Sequence, residues 1–325
     1  MDKVGLDKRI RDKVLLEIQH NNLTSLKKLK SENPLFHWNH ICYEKTGDSL
    51  LHVASRLGYQ EIIDYLLSDE FGTSCVDIKN KDDKTPLHEA TQFGQLASVL
   101  KLCSYGADVN ALRRGDWTPL MLACTKIQDD ISLQIVQTLF RNGALINIRN
   151  KDGWSCAHML AREGSIEILE FLISRGLDVS INTKNGRSPL HIASLHGHIG
   201  ISSLLLKYID INLKDNCGNT PLHEAVLGQH IDLCKFLIKN GANICARNNS
   251  DFSLLHLAAS KAQNNIIKYI LNELKFDIND QNRNGWTSLH CAAKQSNKEA
   301  YKYLEKNGAN VDIKDNYGRT AFDYL

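Results

Sequence analysis

The chain has 325 residues, of which 23% are charged and 42% hydrophobic, and its formal net charge is +2 at neutral pH. This charge is too small to indicate nucleic acid as the main partner. Residues 1–13 are charged and contain no apolar signal core, and no apolar stretch approaches transmembrane length. The composition therefore favours a soluble protein that binds neither nucleic acid nor a membrane directly.

The cysteines indicate a reducing compartment. There are nine of them, an odd number, and no two form a Cys-x-x-Cys pair. This usage is typical of buried, reduced thiols rather than of a secreted disulfide framework. We therefore expect a cytosolic or nuclear protein in which Cys124 and Cys291 fill small apolar positions.

The first segment of the chain, residues 1–46, predicts a divergent helix pair over residues 5–31 and a long connection over residues 32–46. A polar capping unit of this kind is what the end of a repeat array requires. The predicted helices have lysine-rich outer faces, and their inner faces carry Leu15, Leu16, Ile18, Leu23, Leu26 and Leu29.

A tetrad of Ser/Thr-Pro-Leu-His, or a divergent copy of it, recurs along the rest of the chain in steps of 36, 33, 37, 33, 32, 33, 34 and 33 residues. Its first residue is always Ser or Thr, the preferred type for a helix N-cap, and Pro often follows at the first helical position. The first residues are Ser49, Thr85, Thr118, Ser155, Ser188, Thr220, Ser253, Thr287 and Thr320.

This tetrad at a period near 33 residues resembles the ankyrin repeat family. The resemblance implies an all-α solenoid of stacked helix-turn-helix units joined by short β-turn fingers. We expect eight repeats over residues 47–319 and a partial terminal repeat over residues 320–325. The divergent N-terminal helix pair is counted as the first repeat, so these eight are the second to the ninth. A solenoid has no single deep pocket, so it argues against an enzyme.

Histidine fills the fourth tetrad position in seven of eight complete tetrads, which raises the alternatives of a metal site and a structural hydrogen bond. Successive tetrad histidines lie one repeat apart, without Cys or carboxylates at metal-ligand spacing. We therefore favour hydrogen bonds that tie adjacent fingers and helices together. The sequence also has no nucleophile elbow, phosphate loop or cofactor motif, so we predict no catalysis and no cofactor.

Three irregularities interrupt the period. Extra residues fall around 69–74 and around 127–131, and the sixth repeat is one residue short at Tyr208-Ile209. Insertions in repeat proteins map to loops and often lie on a binding face. Neutral drift in a tolerant loop explains them equally well, and both alternatives stay open.

The residue before each N-cap is expected at an exposed finger tip, and three of the four tryptophans occupy this position. Tryptophan is enriched at binding hot spots. We therefore predict a protein-binding strip centred on the fourth and fifth repeats. Its candidate residues are Arg113, Arg114, Trp117, Lys151, Trp154, Lys184 and Arg187. The alternative is that each tryptophan packs locally over its neighbouring finger, and both roles are compatible.

Several phrases are more specific than the general repeat. They read Asp116-Trp117-Thr118-Pro119-Leu120-Met121, Asn150-Lys151-Asp152-Gly153-Trp154, Ala161-Arg162-Glu163-Gly164 and Asp215-Asn216-Cys217-Gly218. They resemble the family of ankyrin repeat domain-containing protein 16 over roughly residues 47–320. That resemblance implies a monomeric, cytoplasmic and nuclear partner of the catalytic domain of alanyl-tRNA synthetase, which limits serine mischarging of alanine tRNA.

In that family, lysine side chains are implicated as acceptors of misactivated serine. The resemblance keeps one of three acceptor positions, Lys151, while the other two fall on Arg114 and Ser180, with Lys184 four residues beyond the latter. An arginine offers no free amine for acylation. Lys151 is therefore the candidate serine acceptor, and a general ankyrin adaptor for other proteins is the alternative function.

Overall fold

The computed structural model describes residues 3–34, 38, 41–68, 76–125, 130–261 and 264–325. Eighteen α-helices lie within them and no extended strand does; two isolated β-bridges are present. The helices are α1 Lys3–Gln19, α2 Leu23–Glu32, α3 Leu50–Leu57, α4 Gln60–Leu67, α5 Pro86–Gln92, α6 Leu96–Ser104, α7 Pro119–Ala123, α8 Asp130–Arg141, α9 Cys156–Glu163, α10 Ile166–Ser174, α11 Pro189–His196, α12 Ile199–Leu205, α13 Pro221–Leu227, α14 Ile231–Lys239, α15 Leu254–Lys261, α16 Asn264–Asn272, α17 Ser288–Lys294 and α18 Lys298–Lys306, followed by a 3-10 turn, Ala321–Tyr324.

Each repeat contains one helix that begins at the tetrad, here called the inner helix, and a second, outer helix. The N-cap hydroxyls of five inner helices accept a backbone N–H, as Thr220 does from His223 at 3.4 Å. Pro221 follows at the first helical position, where no intrahelical N–H is needed. The glycine after the inner helix supplies a left-handed conformation, with φ of 80° at Gly197.

The helices form two compact units. The first contains residues 1–159 and 167–177, and the second contains residues 160–166 and 178–325. In the first unit the inner helix α3 packs on α5, and α5 packs on α7. The outer helices follow the same succession, with α4 packed on α6 and α6 on α8. In the second unit α11, α13, α15 and α17 stack in the same way.

The core of each unit is apolar and built mainly from the tetrad leucines and the small residues that follow them. Leu87 and Ala90 in the first unit and Leu222 and Ala225 in the second are at most 1% exposed. Cys124 and Cys291 are buried, as expected, and the eight cysteines among the described residues are free thiols. Burial raises the pKa of the Cys291 thiol to about 12.

The predicted irregularities are placed only in part. The insertion at 69–74 lies outside the described residues, as do residues 127–129; residues 130 and 131 open α8. The short sixth repeat is seen as an outer helix, α12, that ends at Leu205. No helix among the described residues is long and apolar enough to cross a membrane.

Candidate protein-binding site

The fingers are five-residue turns that precede the inner helices, and the side chain of the first residue closes most of them. The amide oxygen of Asn150 accepts the backbone N–H of Asp152 at 3.0 Å and of Trp154 at 2.8 Å. The same turn occurs at residues 80–84, 183–187, 215–219, 248–252, 282–286 and 315–319. This is the local closure that Asn, Asp and Thr side chains provide in turns.

Neighbouring fingers are tied to each other by backbone hydrogen bonds. In the first unit, the N–H of Arg114 donates to the carbonyl of Asp82 and the N–H of Lys151 to that of Gly115, each at 3.0 Å. In the second unit, Asn249 donates to the carbonyl of Cys217 at 2.9 Å. The fingers within each unit are therefore fixed relative to their neighbours.

Five of the tetrad histidines fasten the next finger to their own inner helix, which confirms the hydrogen-bond prediction at these positions. His191 Nδ1 accepts the backbone N–H of Ser188 at 3.2 Å, so its other nitrogen carries the proton and donates to the carbonyl of Asn219 at 3.0 Å. His52, His88, His256 and His290 make the same two contacts. Burial lowers the pKa of these histidines, which keeps the neutral ring that this geometry requires.

The tip tryptophans are half-buried rather than exposed as predicted. The Trp117 ring lies beneath the guanidinium of Arg113, 5.0 Å from the ring centroid, and the Trp154 ring lies 5.8 Å from that of His158. Trp286 packs against Phe252 and Tyr324. Local packing and a remaining exposed face therefore coexist at all three rings.

Two other tip positions are buried, so the prediction of exposure is wrong there. Asp48 is 4% exposed because its carboxylate accepts from Asn80 and pairs with Arg56. Asn219 is 8% exposed and is held by the amide of Asn248 at 3.0 Å. The small polar side chains at these tips fold inward to satisfy neighbouring fingers.

The first unit contains five of the predicted strip residues. Lys151 is exposed on the finger that carries Trp154. Arg114 is also exposed and reaches the carboxylate of Asp82 at 3.3 Å. Arg113, in contrast, is half-buried and stacks on Trp117. The strip in this unit is therefore aromatic and cationic.

The other two predicted strip residues lie in the second unit. Lys184 is exposed at its finger tip. Arg187 instead points to buried carboxylates, at 3.0 Å from Glu224 and 3.6 Å from Asp215. The Arg187 charge is thus neutralised by carboxylates of the next repeat, so this residue has a structural role that the tip position did not predict.

Sequence reasoning missed a pair of buried glutamates that directly follow tetrad histidines. Glu89, 3% exposed, pairs with Arg56 and Lys84, each at 3.0 Å. Glu224 is 1% exposed, and burial raises the pKa of its carboxyl. The repeated His-Glu phrase marks both positions. The partners are an arginine on the preceding inner helix and a lysine of its own finger for Glu89, and an arginine on the preceding finger for Glu224.

This arrangement suits contact with a protein surface rather than chemistry at a closed site. Within the described ranges, no group of three or more His, Cys, Asp or Glu residues has a metal-binding geometry. The fingers of the first unit present aromatic faces, cationic side chains and exposed carboxylates such as those of Asp82 and Asp152, on a backbone that hydrogen bonds hold in place. Aromatic and arginine anchors of this kind supply much of the binding free energy at protein interfaces.

Several known proteins are similar to this chain, each over a limited segment. The regulatory subunit 12A of protein phosphatase 1 from Mus musculus is 35% identical over 69 residues, 21% of this chain and 7% of that protein. The p105 subunit of nuclear factor NF-kappa-B from Mus musculus is 30% identical over 123 residues, 38% of this chain and 12% of that protein. A putative ankyrin repeat protein, R96, of Acanthamoeba polyphaga mimivirus is 38% identical over 82 residues, 24% of this chain and 8% of that protein. The matches thus span no more than 12% of these relatives.

The model of ankyrin repeats (3 copies) matches residues 15–113, 77–150, 120–215, 158–248, 205–282 and 255–324. These overlapping matches cover nearly all of the chain and confirm the predicted all-α repeat-solenoid class. Ankyrin repeats are protein-binding scaffolds, in agreement with the character of the fingers. The chain belongs to the ankyrin repeat family.

Proposed function

We propose that this chain is a monomeric, non-enzymatic co-factor of alanyl-tRNA synthetase that limits serine mischarging of alanine tRNA in the cytoplasm and nucleus. The synthetase performs the catalysis, and the ankyrin chain binds its catalytic domain through the fingers of the fourth and fifth repeats. The specific phrases around Trp117, Met121 and Trp154 support this proposal because they resemble those of ankyrin repeat domain-containing protein 16.

The observation that supports the proposal best is that Lys151 is exposed on a finger that carries one tryptophan and is hydrogen-bonded to a finger that carries another. Trp154 belongs to the same finger, and Trp117 belongs to the finger that the Lys151 N–H contacts through the carbonyl of Gly115 at 3.0 Å. Docking on the two aromatic faces brings Lys151 to the partner surface. Proximity of that kind raises the effective concentration of an amine greatly.

A general ankyrin adaptor for other proteins is the second candidate function. The name of the protein phosphatase 1 relative describes a regulatory subunit, and that protein shares a repeat segment with this chain. An adaptor needs only the binding strip and makes no use of the Lys151 amine. The two candidates therefore differ both in partner and in the role of one lysine.

The test is an affinity capture from a cell lysate with the tagged chain, beside a tagged Trp117→Ala/Trp154→Ala chain as the control. We expect alanyl-tRNA synthetase to be the leading protein captured by the wild-type chain and to be depleted from the control. Purified synthetase should then bind directly. Capture of other clear partners without the synthetase would reject the co-factor proposal and favour the general adaptor.

A further inference from the structure

We infer that Arg113 is the anchor for an acidic side chain, Asp or Glu, of a protein partner, with Trp117 as the apolar wall beside it. This inference rests on the proposed protein-binding role of the fingers and specifies the chemistry of the partner. The position of Arg113 in its finger, the contacts of its guanidinium and the pairing of the surrounding carboxylates support it.

Arg113 occupies the turn-closing position of its finger, where other fingers place an oxygen acceptor. Asn80 closes the preceding finger by accepting from Lys84 at 3.0 Å, and Asn150 closes the following one. An arginine side chain has only donors and cannot make this bond. The finger of the fourth repeat keeps the backbone bond that the other fingers also have, in which the Arg113 N–H donates to the carbonyl of Trp117 at 3.1 Å, but it lacks the side-chain closure. The substitution therefore gives up a local turn contact and places a guanidinium there.

The guanidinium has an aromatic neighbour but no carboxylate partner among the residues that the structure describes. It lies over the Trp117 ring at 5.0 Å, and its Nε is buried without a hydrogen-bond acceptor. Partial burial lowers the pKa of Arg113, although an arginine keeps its charge under all ordinary conditions. A charge that is partly withdrawn from water and left unpaired favours any carboxylate that can reach it.

Other half-buried arginines of this chain are paired within the fold. Arg56 contacts Asp48 and Glu89, Arg187 contacts Glu224, and Arg247 contacts Asp280 at 2.7 Å. These pairs show how the repeats usually neutralise a guanidinium near the fingers. Arg113, at the first position of its finger, has no such carboxylate partner among the described residues.

The two carboxylates whose charges act on Arg113, those of Asp82 and Glu89, are already paired with other cations. Asp82 pairs with Arg114 at 3.3 Å. Glu89 pairs with Arg56 and Lys84 at 3.0 Å each. A carboxylate from outside the chain is therefore the complementary group, and its bond to an arginine is among the stronger hydrogen bonds in proteins. The backbone contacts of Trp117 to Arg113 and His88 hold this anchor in place before binding, which reduces the entropy lost on association.

The experiment is a selection of random peptides displayed on phage against the wild-type chain, with counter-selection on Arg113→Asn. Asparagine at this position restores the turn closure seen at Asn150, so we expect the variant to fold with at least wild-type stability. Arg113→Gln provides a second variant, and Arg141→Asn removes an equal charge from the exposed end of α8 as the matched control.

We expect the enriched peptides to share an Asp or Glu next to an apolar residue. A synthetic peptide of that sequence should bind the wild-type chain and the Arg141→Asn variant equally and the Arg113 variants at least about tenfold more weakly. Enriched peptides without an acid, equal binding to the Arg113 variants, or no enrichment over Arg113→Asn would overturn the inference.

Alanyl-tRNA synthetase binding is measured separately on the same variants, so the two proposals fail independently. Selection of acidic peptides by a chain that does not bind the synthetase leaves the anchor intact and rejects the co-factor function. If the Arg113 variants bind the synthetase as the wild-type chain does and no acidic peptides are selected, the anchor is rejected and the co-factor function is kept.

Discussion

His88 and Trp117, 29 residues apart in the sequence, are joined by a 3.1 Å hydrogen bond from the imidazole Nε2 to the tryptophan carbonyl oxygen. The bond connects the inner helix α5 to the finger of the next repeat and helps to fix the backbone that carries the indole. In the following repeat the equivalent residue is Met121, whose thioether has no N–H to donate to the carbonyl of Trp154. The finger with Lys151 and Trp154 is therefore held without this contact.

The tetrad histidines predict a loss of stability on mild acidification. Burial lowers the folded-state pKa of His88 and His223 to about 4, below the ordinary value of about 6.5. Between these values the unfolded chain binds more protons, so the free energy of unfolding should fall as the pH falls, by up to about 1.4 kcal/mol per pH unit per histidine. Urea unfolding from about pH 7 to about pH 5 measures this dependence.

Substitution of one histidine identifies its share of that dependence. His88→Leu should reduce the slope of stability against pH while costing about 1–3 kcal/mol near neutral pH, because the Thr85 N–H loses its acceptor. His20→Leu, at an exposed position of the N-terminal helix pair, is the control and should leave the slope unchanged. Equal slopes in all three chains would contradict the proposed neutral-histidine network.

The helix caps give a second prediction, for local stability. Thr220→Ala removes the hydroxyl that accepts the His223 N–H and should cost roughly 0.5–2 kcal/mol. Hydrogen exchange should show faster opening of α13 and its neighbours within the second unit, because coupling in repeat arrays passes between adjacent repeats. Ser104→Ala, exposed on α6, serves as the control; uniform loosening throughout the chain by Thr220→Ala would oppose nearest-neighbour coupling.

The sequence predicted the repeat architecture well because the tetrad reports local physics. An N-cap hydroxyl, a first-turn proline and a turn glycine act within a few residues, so Thr220, Pro221 and Gly197 could be placed without a structure. The contacts of long side chains, in contrast, depend on residues of neighbouring repeats. Arg187 was assigned to a binding strip, yet it reaches Glu224, 37 residues further along the chain. Its partner could not be deduced from local spacing.

The third prediction is that removal of the Arg187 side chain lowers the stability of the fold, because this residue pairs with buried carboxylates rather than with a partner. Arg187→Ala leaves Glu224 and Asp215 buried without their cation, which breaks a buried pair and costs about 3–5 kcal/mol when both groups are fully buried. Since the Arg187 side chain is 32% exposed, we expect about 1–3 kcal/mol.

The pH dependence of the Arg187→Ala variant distinguishes this mechanism from lost packing. An unpaired, buried Glu224 is stabilised by protonation, so the loss of stability should be larger near about pH 7 than near about pH 5. Arg187→Ala/Glu224→Gln should recover part of the loss in urea unfolding. A loss that is independent of pH and unchanged by Glu224→Gln would indicate packing alone.

The fourth prediction concerns the two aromatic faces of the first unit. Trp117→Ala with Trp154→Ala should remove most partner binding, because each aromatic anchor at a hot spot can contribute roughly 2 kcal/mol or more. Both rings are half-buried, so a modest fall in stability is also expected. Affinity capture measures binding, while circular dichroism checks that the variant stays helical.

Trp286→Ala is the matched control, since Trp286 is a half-buried finger tryptophan of the second unit. It should lower stability by a similar amount and leave partner binding near the wild-type level. Unchanged binding in a helical Trp117/Trp154 variant would place the interface elsewhere. Extensive unfolding of that variant alone would favour a purely structural role for the two rings.

The fifth prediction tests Lys151 as an acceptor of misactivated serine. Alanyl-tRNA synthetase that activates serine with ATP forms seryl-adenylate and releases pyrophosphate. The Lys151 amine, after losing a proton, attacks the seryl carbonyl; an amide bond forms and AMP leaves. Peptide mass spectrometry of the chain incubated with the synthetase, ATP and serine should find the seryl adduct on Lys151.

Lys184 is the internal comparison, because it is an equally exposed finger lysine but lies in the second unit. If docking on Trp117 and Trp154 directs the reaction, Lys184 should carry little adduct and the Trp117→Ala/Trp154→Ala chain should lose the adduct on Lys151. Lys151→Arg keeps the positive charge but provides no amine that can be acylated, so it should still bind the synthetase and remain unmodified. A confirmed complex without an adduct on any lysine would exclude serine capture and leave the chain with a binding role alone, because docking would then not bring an amine to the activated serine.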